Sequence, residues 1–165
     1  MTTLTMIHHI LSAYYGEIYG IAFFNQYLKR HSHTQQTELW QTLIDVEILT
    51  AEKLKPVLIM HDIDVESRNK EMQEKGRLDA KKWIELPWDD LISTLLSWVE
   101  PYEIKYREWN ENTQEFADLE PNSNPENTAF QIIAEHETAI YQCLKQYHSG
   151  TSGLPILEAF LAKYR

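Results

Sequence analysis

Apolar residues recur at alternating three- and four-residue steps through four long stretches of this chain, a spacing that only helices use. The first stretch runs from about Leu4 to Arg30, with Leu4, Ile7, Leu11, Tyr14, Ile18, Ile21 and Leu28 on its expected inward seam and Asn25 filling the one gap. The second runs from about Gln35 to Met60, with Trp40, Leu43, Ile44, Ala51, Leu54 and Leu58 inward. Ser32 and Gln35 are spaced as a capping box before it, and Pro56 is expected to kink its last turn or end it early. The third spans Trp88 to Ala117 through Leu91, Leu95, Val99, Tyr102, Tyr106 and Trp109, with Pro101 expected to bend it. The fourth opens on Asn124 as N-cap and Pro125 in the first turn, and Gly150 stops it after His148. A short fifth helix, Pro155 to Tyr164, folds back on Leu157, Phe160 and Leu161.

The connections constrain how these helices meet. About four residues join the first two, so they are expected to be antiparallel neighbours. The turn-rich "DLEPNSNP" joins the third and fourth. Between Met60 and Trp88 lies a longer charged segment with room for a turn or two of helix. It is long enough to carry the chain from one end of the helices to the other, and its residues 66–82 are expected to form a solvated linker surface. Only 5 Gly and 6 Pro occur in 165 residues, and 43% of the chain is apolar, which fits one all-α domain over 1–165 with a sizeable core.

Charge and sequence signals narrow the function classes. Fifteen basic against 25 acidic residues give a net charge of −10, which argues against nucleic acid as a partner because phosphate backbones need clustered Lys and Arg. Cys143 is the only cysteine, so the chain forms no internal disulfide and no thiolate zinc cluster. It is expected to be a small packing residue. No run of about 18 apolar residues suggests a membrane span. The N-terminal "MTTLTMIHHILSAYY" lacks a basic n-region, so the expected location is cytoplasmic.

The chemistry lies in carboxylates on the wrong face. On a helix a residue meets those three, four and seven positions away. Glu17 is ringed by Tyr14, Ala13, Gly20, Ile21, Ile10 and Phe24; Glu47 by Ile44, Leu43, Thr50, Ala51, Trp40 and Leu54. Glu137 has Ala134, Ile133, Ile140, Tyr141, Phe130 and Leu144. Glu135, two residues earlier, meets Gln131, Thr128, Thr138 and Gln142, as a solvated Glu should. Burying a lone carboxylate costs several kcal/mol even after relaxation, so the first three need partners. Glu17, Glu47, Glu137 and Glu103 each fall near the middle of their helices, which at about 1.5 Å rise per residue puts them in one layer. His136, whose helical neighbours Ile133, Ala139, Ile132, Ile140, Ala129 and Cys143 are apolar as well, supplies an imidazole at the same level.

This arrangement resembles the ferritin-like superfamily, whose di-iron members hold two metals in a four-helix bundle on Glu from two helices and Glu-x-x-His from each of the other two. "GEIYG" around Glu17 looks like that family's first-helix Glu, and Glu47 follows 30 residues later, about the family's spacing. The resemblance implies a ferritin-like bundle with a long crossover between the second and third long helices and a short C-terminal helix. It further implies iron or manganese held by Glu17, Glu47, Glu103 and Glu137, with His136 as an added candidate, and dioxygen-linked oxidation as the reaction class. Thr50 and Ile140 stand where the family has its two histidines. A complete two-metal set is therefore not expected, and a single-metal site or a metal-free relic both remain open.

Each of these residues also has a plain structural reading. Glu103 has Arg107 four residues on, an ordinary helical ion pair. Thr50 is a candidate hydrogen-bonding lining residue. His8, His9, His31 and His33 form no ligand spacing, and Tyr14, Tyr102, Tyr106, Trp40 and Trp98 read as core. Two functions are thus expected in competition. One is a metal-binding carboxylate bundle protein. The other is a non-catalytic helical protein, without metal, that acts through homodimerisation or partner binding. In either case a second copy of the chain is the expected partner.

Overall fold

A computed structural model describes residues 2–32, 34–117 and 124–165. Every regular element among them is an α-helix: α1 (Thr3–Arg30), α2 (Thr37–Met60), α3 (Asn69–Ala80), α4 (Trp88–Ala117), α5 (Pro125–His148) and α6 (Leu154–Tyr164). His33 and most of the turn-rich connection between α4 and α5 lie outside the described residues.

The helix ends follow local chemistry. The Thr2 hydroxyl accepts the Thr5 N–H at 3.1 Å, and the Asn124 side chain accepts the Asn127 N–H at 2.8 Å as expected. Gly150, at φ 87°, turns the chain out of α5 in the left-handed conformation that glycine adopts without strain. The start of α2 differs from expectation. The Thr34 hydroxyl accepts the Gln36 N–H at 3.3 Å and donates to the His31 carbonyl at 2.8 Å, so Ser32 and Gln35 are not the capping pair. Neither internal proline ends its helix: α2 continues through Pro56 to Met60, and α4 through Pro101 to Ala117.

Four long helices share one core. α1 packs on α2, α2 on α5, and α5 on α4, while α6 covers the outer faces of α2 and α5. Contacts fix the directions. Tyr15 bonds Ser67 and Tyr27 donates to the Ala80 carbonyl, so α3 runs alongside and parallel to α1. Trp88 meets Trp40 and Tyr147 at one end of the core, and Trp109 stacks on His9 at the other. Chain direction is therefore up in α1, down in α2, up in α3, down in α4 and up in α5. The expected crossover is real; it carries a twelve-residue helix, longer than the turn or two expected, whose outer face is solvated as expected. Its Gly76 lies so close to α1 that a Cβ would strike the Tyr19 carbonyl.

The inward stripe of α2 is as expected: Trp40, Leu43, Ile44, Ala51, Leu54 and Leu58 are all buried. A fully buried Leu such as Leu43 or Leu54 contributes about 1.5–3 kcal/mol. The α1 seam is rotated from expectation. Ile7, Ile10, Tyr14, Glu17, Phe24 and Tyr27 are buried, whereas Leu4 is 67% exposed and Leu11, Ile18, Ile21 and Leu28 are only partly covered. Tyr102 is also a correction, 41% exposed where a core position was expected. One neighbour pair is held apart. No Cα of α1 lies within 8 Å of a Cα of α4 among the described residues, and the gap between them opens onto the middle of the core.

Candidate metal centre

Three helices bring Glu17, Glu47 and His136 together at mid-height, exposed by only 1%, 5% and 0%. Their ligand-type atoms all lie within 4.8 Å of one another. Each is there because its helix turns that position inward beside apolar neighbours: Tyr14 and Phe24 around Glu17, Leu43 and Leu54 around Glu47, Ile133 and Ile140 around His136. His136 Nδ1 donates to the Ile133 carbonyl at 2.6 Å, which fixes the ring and leaves Nε2 facing the carboxylates. Nε2 lies 2.8 Å from Glu17 Oε1, 3.2 Å from Glu137 Oε2 and 3.8 Å from Glu47 Oε1.

Gly20 makes the room. A Cβ on Gly20 would occupy the space of the Glu47 carboxylate, so that carboxylate rests against the bare α1 backbone. A Cβ on Gly16, one turn earlier, would sit 3.6 Å from the Tyr106 hydroxyl. "GEIYG" thus carries one required gap, at Gly20, which admits the Glu47 carboxylate from α2; at Gly16 a Cβ would make only ordinary contact.

The electrostatics are unbalanced. Burial, and then the charge of Glu17, push the Glu47 carboxyl well above the usual carboxylate range. Burial works against a charged His136, but Glu17 and Glu137 outweigh it and raise the imidazole well above its ordinary value. Burial and then the Glu137, Glu17 and Glu47 charges raise the Tyr106 hydroxyl in the same way. Three carboxyl groups thus share one imidazole, with Glu47 favouring its protonated, neutral form. Hydrogen bonding is incomplete as well. Glu17 Oε2 and His136 Nε2 are both buried without a well-aligned hydrogen bond, although Nε2 has carboxylate oxygens at ion-pair distance. Buried polar atoms of that kind signal an unplaced proton, water or ion. Two glutamates and an imidazole can hold a metal ion once Nε2 gives up its proton.

The other expected site residues are placed less uniformly. Glu137 lies at the edge of the group, its side chain 12% exposed, and reaches His136 although the two are adjacent on α5. Glu103 is buried but set apart. Its carboxylate accepts from Arg107 at 3.1 Å and from the Thr138 hydroxyl at 3.2 Å. Thr50 turns back to donate to the Val46 carbonyl at 2.8 Å and does not line the site. Glu135 is not free in solvent: Lys163 and Tyr164 of α6 both bond it. Sequence reasoning missed the parts played by Gly20 and Tyr106. Gly20, three residues after Glu17 on the same face of α1, was the available signal.

A pocket of about 290 Å³ adjoins the group in the gap between α1 and α4, with α3 along its rim. Glu17, Glu47 and Glu137 form part of its floor, and Trp98, Tyr102 and Tyr106 part of its wall. A larger and more open groove of about 580 Å³ runs between α1 and α3, but its lining includes none of these residues. Among the described residues no helix is long and apolar enough to cross a membrane. Comparisons of the chain with protein-family models, curated proteins and solved structures give no match.

Proposed function

We propose that this chain is a metal-binding protein of ferritin-like build that holds one iron or manganese ion on Glu17, Glu47 and His136, with Glu137 alongside. The observation that carries this reading is the convergence of Glu17, Glu47 and His136, all almost fully buried and with ligand-type atoms within 4.8 Å of one another, where Glu17 Oε2 is left without a hydrogen-bond partner. Carboxylate oxygens with one imidazole suit iron or manganese. The direction of the helices, with α3 as crossover, supports the ferritin-like assignment, and the missing Glu-x-x-His histidines favour one metal over two.

Bound iron or manganese would supply Lewis-acid and redox chemistry to a small molecule in the adjoining pocket. The protein's part is positional. Ile133 holds the His136 tautomer, Gly20 admits Glu47, and Tyr106 covers the group from the α4 side. The competing reading, a metal-free protein acting by homodimerisation, is favoured by the raised His136, which shares its charge with Glu17 and Glu137 without an ion.

Elemental analysis of protein grown with supplementary iron and manganese separates the two. About one equivalent of metal, lost in Glu17→Gln with the helical circular dichroism unchanged, is the expected result. Less than about a tenth of an equivalent, with no thermal shift on adding either ion, would exclude the metal centre, because a bound ion at 100 times its Kd stabilises by about 2.7 kcal/mol.

A further inference from the structure

The pocket beside the metal group has a chemistry of its own. Its volume of about 290 Å³ is at the small end for ligand pockets and suits a small molecule. Aromatic side chains, Trp98, Tyr102 and Tyr106, give it flat walls. Lys105 on α4 is the cation that stands out. Its ammonium lies 4.9, 5.4 and 5.3 Å from the ring centres of Tyr102, Tyr106 and Trp109, and it forms no ion pair among the described residues. Three ring faces hold the ammonium in place without neutralising it. Lys75 of α3 stands on the opposite rim, so both lips of the opening carry a cation in a chain with a large acidic excess. Asp79, the acidic residue at the rim, is already engaged by the Tyr19 hydroxyl and by Lys82. Tyr106 connects the two ends. Its ring centre is 6.1 Å from that of His136 and 5.4 Å from the Lys105 ammonium.

From this juxtaposition we infer that the pocket binds a small monocarboxylate with a flat apolar body, its carboxylate on Lys105 and its body between the aromatic walls, directed at the metal group. The inference rests on the proposed metal centre for what happens at the inner end, but the carboxylate recognition belongs to Lys105. A neutral isostere would lose the charge-assisted hydrogen bond, and a cationic one would meet lysines on both lips. The floor carboxylates do not compete for Lys105, because they face His136.

Phenylacetate serves as the probe, with phenylacetamide and 2-phenylethylamine as neutral and cationic counterparts. Affinities are read by ligand-observed NMR on the full chain, metal-free and manganese-loaded. Phenylacetate is expected to bind about ten-fold tighter than the amide, the ratio that one charge-assisted hydrogen bond gives. Lys105→Gln should bring that ratio below two-fold while leaving manganese affinity within three-fold, and Lys105→Arg should restore it. On the manganese-loaded chain the bound ring protons should be selectively broadened by the ion. Equal binding of acid and amide, an acid preference that persists in Lys105→Gln, or no binding of any probe would overturn the carboxylate assignment. Failure of manganese to bind, with the Lys105-dependent preference intact on the metal-free chain, would overturn the metal centre and leave the carboxylate assignment standing.

Discussion

Glu17 and Glu103 are both buried carboxylates that face α5, one meeting His136 and the other Thr138 two residues on. Glu103 is satisfied within the fold. Arg107, one turn along its own helix, brings a cation from the solvent side, and Thr138 fills a second position on the same oxygen. Glu17 meets an imidazole, two more carboxylates nearby and an oxygen with no partner. The difference teaches that burial of a carboxylate is not itself a sign of function. Glu103 leaves no buried oxygen without a partner, whereas Glu17 leaves one, which is what a candidate ligand requires.

The largest expected effect breaks this contrast directly. Glu17→Ala should lower iron or manganese affinity by on the order of 100-fold or more, since losing a mere supporting residue of a metal site already costs 10–100-fold. Glu103→Ala should change it by less than three-fold, and should instead lower the unfolding midpoint by a few °C, the scale of about 1 kcal/mol in a domain of this size. Isothermal titration and thermal melts on the two variants check both halves. Equal losses of metal from the two would erase the distinction.

Gly20→Ala comes next. The added methyl takes the space of the Glu47 carboxylate, so affinity should fall about ten-fold. Helix propensity favours Ala over Gly by about 1 kcal/mol, so the metal-free protein should be no less stable and the two readouts should move in opposite directions. A Gly20→Ala protein that binds metal normally would show that Glu47 sits elsewhere.

How much of this was legible in the sequence follows from what each helix touches. α2 buries one face between α1 and α5, and its apolar stripe from Trp40 to Leu58 could be read directly. α1 is covered on two sides, by α2 and by α3, so its core-facing residues do not coincide with its apolar seam. α3 was legible only as a turn or two of helix, because Gly76 and Ala80, its two buried residues, are small and carry little hydrophobic signal. Neighbour counting on ideal helices found Glu17, Glu47, Glu137 and His136. Height along the helices and the ferritin-like pattern placed Glu103 among them, and height says nothing of which neighbouring helix a side chain faces. The adjacency of His136 and Glu137, which should point them about 100° apart, is bridged by the reach of the Glu137 side chain to Nε2.

A smaller effect is the pH dependence of the metal-free protein. His136 and Glu47 both have folded-state pKa values above their ordinary 6.5 and 4.5, so each contributes stability that is present below that value and lost as pH rises through the folded one. Metal-free protein should therefore unfold at a lower temperature at pH 9 than at pH 6. Added metal should reverse the slope, because the ion displaces those protons and binds better as pH rises. Parallel melts with and without manganese decide it; slopes of the same sign would contradict a shared site for proton and metal. The smallest effect is expected at Thr138→Val, which removes one hydrogen bond to Glu103. It should cost about 1 kcal/mol and leave metal affinity unchanged.

The most direct test is anomalous diffraction from crystals soaked in Mn²⁺. A single anomalous peak enclosed by Glu17, Glu47 and His136, and absent in Glu17→Gln, is the expected result. Peaks confined to surface carboxylates, or an ordered water with full hydrogen bonding in that position, would contradict the metal centre and leave the buried group as a proton-balanced piece of the core.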